Sequence, residues 1–146
     1  MSDNPNLNTF SNKDKLAAHL AADLINRIRG LLKEKEYVYI ALSGGRTPNV
    51  LFQHISASSL ALDWDRVKFF WVDERCVPPD HNESNYGSAK PVLIDPLGLS
   101  DESVYRIKGE NDPGSEAKSY GDIIQSIVSP ELNSTVFDII LLGMGE

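Results

Sequence analysis

A single cysteine, Cys76, stands in 146 residues, so an internal disulfide framework is excluded and cytosol is left as the default compartment. No apolar run approaches the roughly 18 residues that a membrane-spanning helix needs. The start, Met1 to Asn6, lacks a basic cluster with apolar residues behind it, so a secretory signal is not expected. Basic residues are few, 14 against 21 acidic ones, for a formal net charge of −7. That excludes the basic stripe of a broad nucleic-acid binder. It also means that the field of the whole protein does not attract an anionic ligand, so an anion site has to be local. Histidine is scarce too: His19, His54 and His81 are the complete set. None has metal-ligand spacing with carboxylates.

What is present fits one globular domain: 41% apolar and 24% charged residues, without internal repeats. We read one domain over 1–146, with 1–12 as a flexible tail. From Lys13 to Lys35 the residues Leu16, Leu20, Leu24, Ile28, Leu31 and Leu32 recur at helical spacing, with Ser11, Asn12 and Asp14 as candidate caps. Tyr37 to Leu42 is a short, nearly continuous apolar run, as expected of a strand buried on both faces. Val67 to Val72 is a second strand and Val104 to Ile107 a short third. Asn49 to Ile55 reads as helix, and so does Asn85 to Ile94, where Pro91 has to interrupt or kink it. Ser115 to Val128 predicts a helix with Tyr120, Ile123, Ile124 and Ile127 on one face. Val136 to Leu142 is the clearest buried strand of all.

Strands alternating with helices predict an α/β fold, a Rossmann-like parallel sheet flanked by helices. Ligands of such sheets bind outside the carboxyl ends of the strands. Three loops therefore matter, those after Leu42, Val72 and Leu142. The last runs Gly143-Met144-Gly145-Glu146 and stops, which would leave apolar sheet surface uncovered, so the chain is read as cut short at its C-terminus.

The first loop, Ser43-Gly44-Gly45-Arg46-Thr47-Pro48, combines two glycines for tight backbone geometry with Thr47 as a helix cap and Pro48 as first helical residue. A helix N-terminus so presented suits a phosphate, and Arg46 adds a charged fork. A plain tight turn would use the same residue types. Neither GxxxxGK[ST] nor GxGxxG is present, which favours a small phosphorylated metabolite over a nucleotide. The second loop, Trp71-Val72-Asp73-Glu74-Arg75, sets two carboxylates and a guanidinium at a strand end. They could handle substrate, with Arg75 on an anionic group and Asp73 or Glu74 orienting hydroxyls, or form a structural ion-pair knot. Cys76 beside them reads as a small buried filler rather than a nucleophile. The long polar stretch from Val77 to Tyr86 could close over a ligand.

Ser-Gly-Gly-Arg-Thr-Pro, Trp-Val-Asp-Glu-Arg-Cys-Val-Pro, Ser-Asn-Tyr-Gly and Phe-Asp-Ile-Ile-Leu-Leu-Gly-Met-Gly occur in this order. The set resembles the glucosamine-6-phosphate isomerase/6-phosphogluconolactonase family from about Lys13 onward. The resemblance implies cofactor-free and metal-free hydrolysis of 6-phosphogluconolactone, as part of the pentose phosphate pathway. The partner it implies is a phosphorylated sugar lactone; composition gives no sign of a nucleic-acid or membrane partner. By that resemblance Ser43, Gly44, Gly45, Arg46 and Thr47 match the phosphate-binding loop, Asp73 and Arg75 the substrate-contacting pair, and Ser84 and Asn85 a loop bordering the site. The related deaminases typically carry Asp-Glu-Tyr where Arg75 stands here, which favours the lactonase. The family's catalytic histidine follows Leu-Gly-Met-Gly in an Asp-Gly-His segment, and no such segment is in this sequence. His19 and His54 read as structural or surface residues, and His81 as a solvated loop residue and the only plausible substitute base. Glucosamine-6-phosphate deamination or isomerisation, and phosphosugar binding without chemistry, are the competing expectations.

Overall fold

The computed structural model of the chain describes residues 8–58, 62–128 and 136–143. Helix α1 (Lys13–Leu31) starts at the Asn12 cap, whose side chain accepts the Lys15 N–H at 2.9 Å. Of the expected tail, residues 1–7 lie outside the described residues, whereas Phe10 packs its ring 5.0 Å from that of His19. The buried stripe of α1 is Ala17, Ala21, Leu24, Ile25 and Ile28, while Leu16 is exposed. Spacing alone favoured the leucines. Leu24 and Ile28 keep their expected places, and Ala17 and Ala21 join them because α1 lies against the next helix and small residues let two helices approach closely.

Strand β1 (Val38–Leu42) leads into α2 (Arg46–Ser58), which returns through a 3₁₀ turn at Trp64–Arg66 to β2 (Val67–Trp71). Tyr37 and Val72 are exposed, so each strand is one residue shorter than its apolar run. Arg66 secures the amino ends of these strands. Its guanidinium donates to the carbonyls of Glu36, Leu32 and Lys35 at 2.8, 3.0 and 2.6 Å, satisfying the open end of α1.

After β2 the chain forms one helical stretch made of α3 (Asn85–Ala89), a wide π turn (Lys90–Ile94) and α4 (Asp95–Leu97). Pro91 does not end the helix, because the π turn accommodates a residue with no N–H to donate. Gly98, with φ of 63°, closes it. Then come β3 (Val104–Tyr105), α5 (Pro113–Val128) and β4 (Ile139–Ile140).

All pairings are parallel, in the order β3-β2-β1-β4, and β1 and β2 run in register from Val38–Val67 to Leu42–Trp71. One face, with Ile40, Leu42, Phe69 and Trp71, packs under α1, α2 and the α3–α4 stretch. The other, with Ala41 and Phe70, is covered by α5 through Tyr120, Val128, Ile124 and Ile127, while Ile123 is exposed. Phe70 is fully buried against Tyr105 and Phe137, at ring distances of 4.7 and 5.3 Å. Burial of such a ring contributes roughly 1.5–3 kcal/mol.

The last strand departs most from expectation. β4 is two residues long and, among the described residues, pairs on one side only; Ile140 and Leu142 are 53% and 71% exposed. Asp138 ties its amino end to β1, accepting the Tyr39 N–H at 2.9 Å and pairing with Lys35. Residues 144–146, which complete the Gly-Met-Gly-Glu ending, lie outside the described residues.

Candidate active site

Because β1 and β2 are neighbours in register, the two loops leaving their carboxyl ends emerge side by side, and the Val72 N–H donates to the Leu42 carbonyl at 2.8 Å. In the first loop Ser43 is buried, while Gly45, Arg46 and Thr47 are exposed. Helix α2 begins two residues earlier than the Thr47–Pro48 pattern suggests. Its first intrahelical bond runs from the Asn49 N–H to the Gly45 carbonyl at 3.2 Å, so Gly45 rather than Thr47 is the capping position. Gly45 has φ of 119°, a conformation that favours glycine. Pro48 stays within the first turn, where its missing N–H costs no hydrogen bond. Gly44 differs from Gly45. A Cβ there would lie 1.9 Å from Asn85 Oδ1, so the close approach that glycine permits is to a side chain of the protein itself.

The second loop is organised by Glu74. Its carboxylate accepts four bonds: from the Arg75 and Asn85 N–H groups at 2.8 and 2.7 Å, the Tyr86 N–H at 2.9 Å and the Ser84 hydroxyl at 3.0 Å. Three of those donors open α3, whose first turn suits a negative charge. Ser84 caps the same helix by accepting the Gly87 N–H at 2.9 Å. Glu74 is thus the anchor of the loop, with its lone pairs committed to protein donors. Asp73, Arg75 and Cys76 are exposed. For Cys76 this corrects the expectation of a buried filler, since the chain turns outward immediately after Val72. Ser84 and Asn85 are buried, and Asn85 Nδ2 donates to the Asp73 carbonyl at 3.1 Å.

Behind this loop stands the segment after β3, which sequence reasoning did not connect to the site. A Cβ on Gly109 would lie 2.0 Å from the Arg75 carbonyl oxygen, so the two backbones are in contact. Glu116, buried in the first turn of α5, holds that segment by accepting from the Lys108 N–H at 2.8 Å and Asn111 Nδ2 at 2.9 Å. Arg106 pairs with Glu110 through two bonds of 2.9 and 2.6 Å and lies 5.6 Å over the Tyr86 ring. That pairing holds the Glu110 carboxyl down at about 2. The buried Tyr120 hydroxyl accepts the Trp71 N–H at 2.8 Å, taking up a donor at the end of β2, and burial raises its pKa. The signal for this support was present in the glycine at 109 and the acid at 116, but only contact distances give them meaning.

Among the described residues neither Arg46 nor Arg75 makes an ion pair, and no group of three potential metal ligands converges. Two guanidiniums free of carboxylates, on neighbouring loops of a protein with net charge −7, are chemically suited to an anion. The histidines are engaged elsewhere: His19 with Phe10, His54 with Asp14 at 2.8 Å, and His81 with the Glu83 N–H at 3.2 Å.

A parallel α/β sheet flanked by helices, with a glycine turn and a helix N-terminus at its carboxyl edge, is a Rossmann-like architecture. Comparison places it more narrowly. The family model for glucosamine-6-phosphate isomerases/6-phosphogluconolactonase matches residues 11–146, and the chain belongs to that family. It is 39% identical to a 6-phosphogluconolactonase of Treponema pallidum over 130 residues, 88% of this chain and 54% of that protein. To the 6-phosphogluconolactonase of Haemophilus influenzae it is 40% identical over 110 residues, 74% of this chain and 46% of the relative. The crystallised 6-phosphogluconolactonase of Trypanosoma brucei superposes with a TM-score of 0.81 at 26% identity, over 94% of this chain and 59% of that one. The chain spans about half the length of the curated relatives it matches.

Proposed function

We propose that this chain carries the substrate-holding part of a 6-phosphogluconolactonase, an enzyme that hydrolyses 6-phosphogluconolactone to 6-phosphogluconate in the pentose phosphate pathway. The observation that carries the reading is the adjacency of the glycine loop and the Asp73–Arg75 loop at the carboxyl ends of β1 and β2. The phosphate sits at the N-terminus of α2, on the free N–H groups of Arg46 and Thr47, with Ser43, Gly44 and Gly45 shaping the turn. The Arg46 guanidinium adds charge. Arg75 and Asp73 orient the sugar ring, and Ser84 and Asn85 serve the site by holding the loop that presents them. Hydrolysis requires a water deprotonated as it attacks the ring carbonyl, and donors for the oxyanion that forms. In the family that base is a histidine after Leu-Gly-Met-Gly, a place that none of the three histidines of this sequence occupies. His81 is the substitute to test. A cytoplasmic location follows from the substrate class, a phosphorylated intermediate of sugar metabolism.

Two measurements on the 146-residue chain test the reading. Saturable binding of 6-phosphogluconate is expected, weakened roughly tenfold by Arg46→Ala, the scale of one charge-assisted contact. Glucosamine 6-phosphate should bind less well. Absence of saturable binding would sink the assignment of the 43–47 loop. Acceleration of fresh 6-phosphogluconolactone hydrolysis over the spontaneous rate would show that the base is already present, and loss of that acceleration in His81→Ala would identify it.

A further inference from the structure

Asn85 sits where the two loops meet. It is 6% exposed, and its backbone N–H is held by Glu74 Oε1 at 2.7 Å. Its side-chain amide faces two ways. Nδ2 donates to the Asp73 carbonyl at 3.1 Å and lies 3.4 Å from Asp73 Oδ1. Oδ1 and Cγ lie against Gly44, 1.9 and 2.1 Å from where a Cβ would stand. One buried amide therefore touches the glycine loop on one side and the aspartate of the second loop on the other. It is fixed from behind as well, because the Ser88 hydroxyl donates to the Asn85 carbonyl at 3.0 Å.

We infer that Asn85 is a positioning residue that sets the spacing between the glycine loop and the Asp73–Arg75 loop, so that a ligand spanning both meets them at one fixed separation. For its ligand the inference rests on the phosphosugar reading above; for the strut itself it rests on the contacts alone. Loops fixed before binding spare the ligand the cost of ordering them, and small errors in their spacing weaken every contact that bridges the two. The residue type follows from the surroundings. Leucine would fill the space against Gly44 but leave the Asp73 carbonyl without its donor. Aspartate would bring a second carboxylate to Asp73 Oδ1. Asparagine fills and donates at once.

A reciprocal size exchange separates these two contributions. Gly44 does not have positive φ, so alanine is tolerated there by the backbone, and the three atoms nearest to its methyl group all belong to the Asn85 side chain. Gly44→Ala alone is expected to lower the thermal midpoint of the chain. Gly44→Ala with Asn85→Gly removes the clash and should recover most of the midpoint, while affinity for 6-phosphogluconate stays roughly tenfold or more below that of the unaltered chain. Recovery of both properties would mean that a methyl group at position 44 replaces the amide and that the bond to Asp73 positions nothing, which would overturn the inference. Should the double variant not fold, Asn85→Asp keeps the shape and removes the donor. It is expected to move amide resonances in both 43–46 and 73–75 of the ligand-free chain and to weaken 6-phosphogluconate binding by a similar factor. Resonance changes confined to 73–75, or an unchanged affinity, would count against the strut. If the unaltered chain binds no 6-phosphogluconate, the phosphosugar reading fails, and the ligand-free resonances alone decide the strut.

Discussion

The loops after β1 and β2 leave the same edge of one sheet side by side, yet they are built in opposite ways. Residues 43–47 hold few side-chain bonds of their own: Gly45, Arg46 and Thr47 are exposed, and the segment is shaped by a glycine with φ of 119° and the start of a helix. The loop from Asp73 to Asn85 folds back on itself around one carboxylate with four donors and is backed by Gly109. The first loop leaves Gly45, Arg46 and Thr47 open, whereas the second commits its polar groups to rigidity and leaves Asp73 and Arg75 at the surface. A site that needs both unsatisfied groups and a fixed frame can divide the two tasks between neighbouring loops. Asn85 then joins what the strands alone leave separate.

The contrast can be broken most strongly at Gly109. An added methyl would meet backbone, the Arg75 and Val77 carbonyl oxygens at 2.0 and 2.8 Å, and neither can swing away. Gly109→Ala is expected to cost roughly 3 kcal/mol of unfolding free energy, the upper part of the usual range for overpacking. Urea denaturation reads it, and an unchanged midpoint would mean that the segment after β3 does not brace the second loop.

Glu74→Gln comes next. A glutamine offers one oxygen where four donors converged on two, and turns an NH₂ toward the rest. The expected loss is about 1.5–3 kcal/mol, the range for hydrogen bonds to a charged group. Arg46→Ala, in the open loop, should stay within about 0.5 kcal/mol by the same measurement. Equal losses in the two variants would erase the difference between the loops.

The smallest effect concerns acid. Glu110 is held at about 2 in the folded chain by its bond to Arg106, against an ordinary 4.5. A depressed folded pKa contributes stability that is complete above the unfolded value of 4.5 and is lost as pH falls through about 2. Glu110→Gln should therefore flatten the thermal midpoint against pH across that window and leave the slope above it unchanged. The pair is partly solvated, so the change should shrink in high salt. A slope that Glu110→Gln does not alter would detach Arg106 and Glu110 from the support of α3.

Much of the fold was legible because apolar runs and periodicity are local. The runs around Val38–Leu42 and Val67–Trp71 predicted buried parallel strands, Asn12 was among the expected caps, and Ser43 to Thr47 stood out as a loop at a strand end. The misreadings share a cause, since burial and capping depend on what lies opposite. Leu16 and Ile123 have the right spacing but point outward, and Ala17 is buried because α2 lies against it. Val136 to Leu142 has the composition of a central strand, but among the described residues it pairs with β1 alone, over Ile139 and Ile140.

The alternation of strands and helices, the family, and the loops at the carboxyl ends of the strands can all be read from the residues in order. Those properties are carried by residue type and spacing within short windows. Contacts across the fold, by contrast, make Glu74 an anchor, keep Gly44 small on account of Asn85, and set Gly109 behind Arg75 in a segment that Glu116 holds. The Glu74–Asn85, Gly109–Arg75 and Gly44–Asn85 relations join residues from about ten to about forty positions apart, and van der Waals contact and hydrogen-bond geometry act on distance in space rather than along the chain.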